Sequence, residues 1–390
     1  MAFFKTTRYN LPDLKTFKKQ FGPLRRFTIH AKSIVAAHEV LGKNMRAEIA
    51  RVIKSKVATK TPKQFASEIL FIRSCAEHFS HRVAKSSAPL SAMGKTYISC
   101  LTAWAKGSGI STSLIPARYR EKVPSLTALD LAWWLQNDNV GCQTGMMRET
   151  DGGVIFWHTE EDNSGYLNKP YVASFKIPGF PPIHAFMYPF LLPGPAFAWN
   201  TEFFQAVDFL YVGLKKRTAG TLANSIAWMS LWYGQKVALQ KIVAAFGPYF
   251  DGYAVNTIKK SKNQKISGDK IEFGADAFFT TTLKTTPGSK LVQANCVSSA
   301  TSTLFKKYND STAKKDWKLR QRVQRVNDWL MSFKKTYHRL PRAADLTSLL
   351  ASRNGKGYGF ANTDVKAYVF GRVGKSNIDV NVDAGPCIIS

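Results

Sequence analysis

The stretch TPKQFASEILFIRSCAEHFSHRVAK, residues 61–85, decides how the first third of the chain folds. Thr61 followed by Pro62 marks a helix start, because threonine caps free amide groups and proline is favoured in the first helical turn. Apolar residues then recur every three or four positions up to Val83, which predicts one long amphipathic helix ending near Lys85. The same periodicity predicts three more helices. They cover residues 28–57, with a break at Gly42, residues 90–106, and residues 125–136.

The centre of the chain changes to short apolar or alternating runs separated by glycine, proline and asparagine, a pattern typical of strands. The predicted strands cover residues 154–157, 171–177 and 184–188. Further on, the sequence predicts helices over 203–214, 222–245 and 312–337, a strand over 278–283, and a hairpin of 365–370 with 378–382. The expected fold class is α+β, with a helical basic N-terminal segment, a strand- and Pro-rich centre and a mixed basic C-terminal segment.

Charge is the most unusual property of the chain, since 55 Lys and Arg stand against 26 Asp and Glu, a net charge of +29. Residues 1–122 hold 23 basic and 6 acidic residues, residues 123–214 hold 3 and 9, and residues 215–390 hold 29 and 11. We take these ranges as three segments. Such a segregated excess goes beyond what solubility requires and indicates a polyanionic partner. Nucleic acid is favoured over a membrane surface because no lipidation signal or amphipathic anchor is visible.

The remaining bulk features predict an intracellular protein without membrane spans. The first residues contain no apolar run before Arg8 that could act as a secretory signal. Two uncharged stretches, 183–199 and 218–235, are interrupted by prolines or polar residues and are interpreted as buried core. The five cysteines are odd in number and far apart, which fits reduced thiols.

Three short patterns could carry chemistry, and each has a simpler interpretation. Residues 89–96 end in Gly-Lys-Thr like a phosphate-binding loop, but they lack its first glycine and the strand before it. Cys75, His78 and His81, with Glu77 and His38 as possible additions, have no second ligand pair nearby for zinc. The third pattern is an acidic cluster of Glu149, Asp151, Glu160, Glu161 and Asp162. Its carboxylates could bind Mg²⁺, but we favour the interpretation that they lie in a solvated loop. We therefore expect no metal, no cofactor and no enzymatic activity.

Basic residues interleaved with aromatic residues are the remaining signal, because phosphate contact and base stacking need both. The expected phosphate contacts are Lys18, Lys19, Arg25, Arg26, Arg46, Arg51, Lys54, Lys215, Lys216, Arg217, Lys259, Lys260, Lys262, Lys318, Arg320, Arg322 and Arg325. The stacking candidates are Phe17, Phe21 and Phe27.

These features favour a structural protein that coats or packages nucleic acid, a viral nucleocapsid or capsid protein that self-assembles. The expected partners are RNA or single-stranded DNA and further copies of the chain, in the virion and the host cytoplasm or nucleus. In bulk organisation, on composition alone, the chain resembles viral nucleoproteins with two lobes around an RNA groove. We favour this two-lobed, nucleocapsid-like arrangement over the alternative, a β-sandwich (jelly-roll) shell with a basic arm.

The competing function is an enzyme acting on DNA, or a helix-turn-helix regulator built on residues 314–351. In that range a basic helix is followed by a turn at 338–342 and a predicted short helix over 343–350. Two helices joined by a proline turn also close many small helical subdomains, so the outline alone is weakly specific.

Overall fold

The structure is a computed structural model of the 390-residue chain. It describes residues 17–19, 24–137, 141–161, 170–210, 220–247, 252–274, 277–294, 313–346, 351–353, 356–357, 365–375, 377–384 and 387–389. For residues 17–19, 141, 161, 277, 313–321, 351–353, 356–357, 365–368, 383–384 and 387–389 the description extends to the backbone only.

The helices in this part of the chain are concentrated before residue 136. They are α1 (Ile34–Asn44), α2 (Arg46–Ala58), α3 (Pro62–Lys85), α4 (Ala88–Ser108), α5 (Ala117–Arg120), α6 (Ala128–Leu135), α7 (Ala223–Tyr233), α8 (Leu239–Phe246) and α9 (Ala313–Tyr337). Two short 3-10 helices cover Thr112–Leu114 and Ala343–Asp345.

The strands lie mainly between residues 141 and 293 and near the C-terminus. They are β1 (Phe17–Lys19), β2 (Arg25–His30), β3 (Gly141–Arg148), β4 (Val154–Glu161), β5 (Tyr171–Lys176), β6 (Ile183–Met187), β7 (Phe197–Trp199), β8 (Phe203–Leu210), β9 (Gly252–Lys260), β10 (Ile266–Gly274), β11 (Ala277–Thr282), β12 (Lys290–Gln293), β13 (Ala351–Arg353), β14 (Lys356–Gly357), β15 (Val365–Val373), β16 (Ile378–Ala384) and β17 (Cys387–Ile389).

The strands form three sheets. Sheet I has eight strands in the order β11-β10-β9-β8-β7-β6-β5-β2, and sheet II has five in the order β12-β3-β4-β15-β16. Sheet III is a small four-stranded sheet in the order β1-β17-β13-β14. Every pair in sheet I is antiparallel except β2 with β5, so β2 is a parallel edge strand joined to the sheet through β5 alone.

Sheet I and sheet II pack face to face, with helices on both outer sides. Phe156 of sheet II stacks on Phe204 of sheet I at 3.9 Å between ring centroids. On the opposite side of sheet I, Gln205 donates to the Ala227 carbonyl of α7. The outer side of sheet II is covered by α9, whose apolar face packs around Trp157. The molecule is therefore a mixed α+β protein, as the sequence predicts.

Two glycines allow α1 and α4 to cross with their backbones in contact. A Cβ on Gly42 would collide with the Trp104 carbonyl of α4, and a Cβ on Gly107 would collide with the Glu39 carbonyl of α1. Small residues at such a crossing let two helices approach closely, so Gly42 serves packing and does not break the helix. The break lies instead at Met45, between α1 and α2.

The long helix over residues 61–85 is confirmed as α3. Thr61 and Gln64 form a reciprocal capping box at its start, with Pro62 in the first turn. The expected helix over 90–106 is confirmed as α4 and ends at Gly109, whose φ of 66° is left-handed. The C-terminal hairpin is confirmed as β15 with β16.

Three helix predictions are wrong in part. The helix predicted over residues 222–245 is divided into α7 and α8, with a turn between Tyr233 and Leu239. Residues 203–210 form strand β8, in which every residue is buried. A strand covered on both faces loses its alternating pattern, and its continuous apolar run then looks like a buried helix. Residues 25–30 form β2, so the helical region begins only at Ile34.

Candidate nucleic-acid interface

Strand β2 carries the first group of predicted contacts at the open edge of sheet I. Side chains alternate along a strand, so Arg25 and Phe27 point toward the helices while Arg26 points to the face that sheet II covers elsewhere. Both arginines are exposed. The adjacent residues of α2, Arg51 and Lys54, are exposed as well.

A hollow of about 460 Å³ lies between β2 and the junction of α1 with α2. It is lined by Arg25, Arg26, Phe27, Asn44 and Met45. Within it, Arg25 lies 3.6 Å from the Glu48 carboxylate, and the Phe27 ring stacks on Tyr171 at 4.7 Å. The Phe27 ring therefore already has an internal stacking partner on one side.

Next to the hollow, Arg46 is exposed but donates to the Gly107 carbonyl at 3.1 Å. This hydrogen bond holds the guanidinium against the end of α4. Because Arg46 is still accessible to solvent, it stays among the proposed contacts.

The inner face of sheet I, defined as the side toward sheet II, is open along β2 and at the Lys176 end of β5, whereas Val172 of β5 is buried on this face. Arg26, Thr28 and His30 of β2 and Lys176 of β5 are all exposed there. In the part of the chain that the structure describes, no carboxylate forms an ion pair with Arg26 or Lys176. Lys176 is a cationic residue of this surface that the sequence analysis did not select.

A second group of predicted contacts lies in the other half of sheet I. Lys259 and Lys260 are on β9 and Lys262 is in the turn to β10. Strand β9 is five strand steps from β2, about 24 Å at the usual spacing between strands. The Lys259 ammonium donates to the Gly234 carbonyl at 2.6 Å, and burial lowers its pKa. Lys262 is the exposed member of this group, whereas Lys259 and Lys260 are half-buried.

The third group lies on α9 and is divided between two environments. Arg325 is exposed, whereas Arg322 is 3% exposed. Arg322 lies one turn before Val326, on the helix side that packs against sheet II, so it does not face solvent. We therefore withdraw Arg322 from the proposed contacts. Lys318 and Arg320 lie on the same helix, but only their backbone is described.

Several predicted residues cannot be placed by their side chains. Phe17, Lys18 and Lys19 form β1, which is described by its backbone. Phe21, Lys215, Lys216 and Arg217 lie outside the described residues.

Comparison with known proteins adds no further information about this surface. The sequence matches no protein-family model and no curated protein.

Among the described residues, the three chemical patterns do not come together in one site; Asp162 lies outside these residues, and Glu161 is described by its backbone only. Gly94 of the Gly-Lys-Thr sequence is buried in the middle of α4, where its position lets Val83 and Phe246 pack closely. Glu149 and Asp151 both contact Arg372, at the opposite end of β4 from Glu160. Among the described residues, no three His, Cys, Asp or Glu side chains form a metal-binding group. None of the described helices has the length and apolar character needed to cross a bilayer.

A polar cluster buried between the two sheets was missed by the sequence analysis. His158 lies 2.7 Å from Thr144 through Nδ1 and 2.7 Å from Glu160 through Nε2. The Tyr188 hydroxyl donates to the other Glu160 oxygen at 2.7 Å. These four residues come from β3, β4 and the end of β6, and each is at most 1% exposed.

Asp208 and Asn256 extend this cluster across sheet I. The Asn256 amide donates to the Asp208 carboxylate at 2.8 Å, and both side chains are buried. Burial raises the pKa of Asp208 to about 6, and the nearby positive charges of His158 and Arg322 oppose that rise. Because these residues are closed off from solvent, we interpret the cluster as a structural network, in which one carboxylate oxygen of Asp208 has no hydrogen-bond partner among the described residues.

Proposed function

We propose that this protein coats or packages nucleic acid through the phosphate backbone and assembles with further copies of itself, as a nucleocapsid or capsid protein does. The observation that supports it most directly is the row of exposed cations at the edge of sheet I. Arg26 and Lys176 lie on the same face of β2 and β5, on either side of the Thr28–Ser174 row, without carboxylate partners among the described residues. With a net charge of +29, such a surface attracts a polyanion in preference to a neutral partner.

The separation of the basic groups also fits an extended ligand. The β2 and β9 groups are separated by four strands of sheet I, so one small anion cannot contact both. A polymer can contact groups that are about 24 Å apart, since its phosphates repeat along the chain. The proposed contacts in the described chain are Arg25, Arg26, Arg46, Arg51, Lys54, Lys176, Lys260, Lys262 and Arg325.

The direct test is the binding of the purified full chain to labelled RNA and DNA oligonucleotides by fluorescence anisotropy. If about six phosphates are neutralised per subunit, the affinity falls roughly a thousandfold between 50 and 200 mM salt. The absence of binding to both polymers at 50 mM salt would refute the proposal.

Packaging also requires that many subunits assemble along one nucleic acid, which electron microscopy can test. With RNA of increasing length, we expect the number of bound subunits to rise in proportion, in rings, filaments or shells. Binding of a single subunit whatever the length would leave a nucleic-acid-binding protein but exclude packaging. Cleavage of the oligonucleotide in the presence of Mg²⁺ would instead support an enzyme acting on nucleic acid.

A further inference from the structure

A half-exposed aromatic pair lies beside the cations on the open inner face of sheet I. The His184 ring of β6 stacks on the Trp199 ring of β7 at 5.3 Å and 25° between planes. Both side chains are only partly buried, although most neighbouring residues between 183 and 199 are fully buried. Stacked aromatic rings at a sheet surface offer flat faces of the kind on which nucleic-acid bases stack.

The pair is the outer end of a ladder of nearly parallel rings. Trp199 is followed by Phe197 at 6.1 Å and 21°, and Phe197 by Phe186 at 4.8 Å and 20°. Phe186 and Phe197 are each 1% exposed. The buried rings fix the plane of the Trp199 ring, so the outer part of the ladder is held in a defined orientation.

The cationic residues of the open face surround this pair. Thr28, Ser174, His184 and Trp199 occupy one cross-strand row, and Arg26 and Lys176 lie in the rows on either side. The Ser174 hydroxyl lies 2.7 Å from His184 Nδ1 and orients the ring. Burial, and then the positive charges of Arg26 and Lys176, lower the pKa of His184, which favours a neutral ring.

We propose that the open face of sheet I is a binding site for single-stranded nucleic acid, in which a base extends the aromatic ladder by stacking on the His184 ring, with Trp199 behind it, while Arg26 and Lys176 contact the flanking phosphates. This inference rests on the proposed function. It adds that the nucleic acid is single-stranded, and it names the residues that distinguish a single strand from a duplex. A duplex keeps its bases stacked on each other, so it can use the cations of this face but not the rings.

The test compares a single-stranded RNA with a duplex of the same length in anisotropy titrations. We expect His184→Ala and Trp199→Leu each to weaken single-strand binding by about tenfold, because stacking on an aromatic side chain contributes on that scale. Duplex binding should change less than twofold. His81→Ala is the matched control, since His81 is an exposed histidine on α3, and it should leave both affinities unchanged.

A crosslinking experiment on the unaltered protein makes the result independent of whether the variants fold. Trypsin cuts after Lys176 and next after Lys215, so one peptide, residues 177–215, carries both rings. Irradiated RNA containing 4-thiouridine should crosslink to this peptide.

The outcomes separate the two proposals. If the unaltered protein binds no nucleic acid, both proposals fail. If it binds RNA but crosslinks elsewhere, or if both variants keep full single-strand affinity, only the stacking site is overturned.

Discussion

One face of sheet I is covered by sheet II from β7 to β10 and open to solvent along β2 and at the Lys176 end of β5, and its polar residues differ accordingly. In the covered half, Lys270 is 4% exposed and lies 3.7 Å from Glu272. In the open half, Lys176 is exposed and has no carboxylate partner among the described residues. The side chains are of the same kind, and the extent of sheet II decides whether they stabilise the fold or remain available to a ligand.

The two histidines of this region differ in the same way. Thr144 lies 2.7 Å from Nδ1 of His158, and Ser174 lies 2.7 Å from Nδ1 of His184. His158 is fully buried and its Nε2 lies 2.7 Å from Glu160, whereas His184 is half-buried and, among the described residues, the charges that act on it are those of Arg26 and Lys176. The first ring is part of the core and the second can still meet a base.

The largest expected effect is the loss of Glu160 in the covered half. Glu160→Ala leaves His158 Nε2 and the Tyr188 hydroxyl buried without their common acceptor. We expect the free energy of unfolding to fall by about 3–5 kcal/mol, measured by urea denaturation. Glu160→Gln keeps a hydrogen-bond acceptor, so it should lower the free energy of unfolding by less than Glu160→Ala does. Glu77→Ala, at an exposed position on α3, should change it by no more than about 0.5 kcal/mol. Equal losses at Glu160 and Glu77 would show that the cluster does not hold the sheets together.

The next effect concerns pH and Asp208. Its pKa is about 6 in the folded protein and 3.8 in the unfolded chain, so the folded state holds the extra proton between these values. Stability from this group is therefore complete below pH 3.8 and declines as the pH rises to 6, by up to about 3 kcal/mol. Asp208→Asn removes the titration. The unfolding free energy of the unaltered protein relative to D208N should fall over this window, and a pH-independent difference would contradict the assignment.

The sequence predicts local structure better than it predicts either half of this face. Periodicity identifies α3 and α4 because helical spacing is set by residues three or four positions apart. The buried cluster depends on β3, β4, β8 and β9 meeting across two sheets, and no local pattern records that pairing. The stretch 183–199 is correctly interpreted as largely core, yet His184 and Trp199 reach the surface because sheet II ends before them. Arg322 shows the opposite error, since its basic character suggested solvent while its helix face is buried.

The smallest effect on stability, and the one that most sharply separates the two halves, is expected at Lys176. Lys176→Gln removes an exposed charge, so the free energy of unfolding should change by no more than about 0.5 kcal/mol. If the residue contacts phosphate, the slope of log affinity against log salt should decrease in magnitude by about 1. Lys63→Gln, an exposed position on α3 away from this face, should leave that slope unchanged. Equal slopes for K176Q and the unaltered protein would mean that nucleic acid does not follow the open face of sheet I, because a cation that contacts the polymer cannot be removed without changing the number of counterions released.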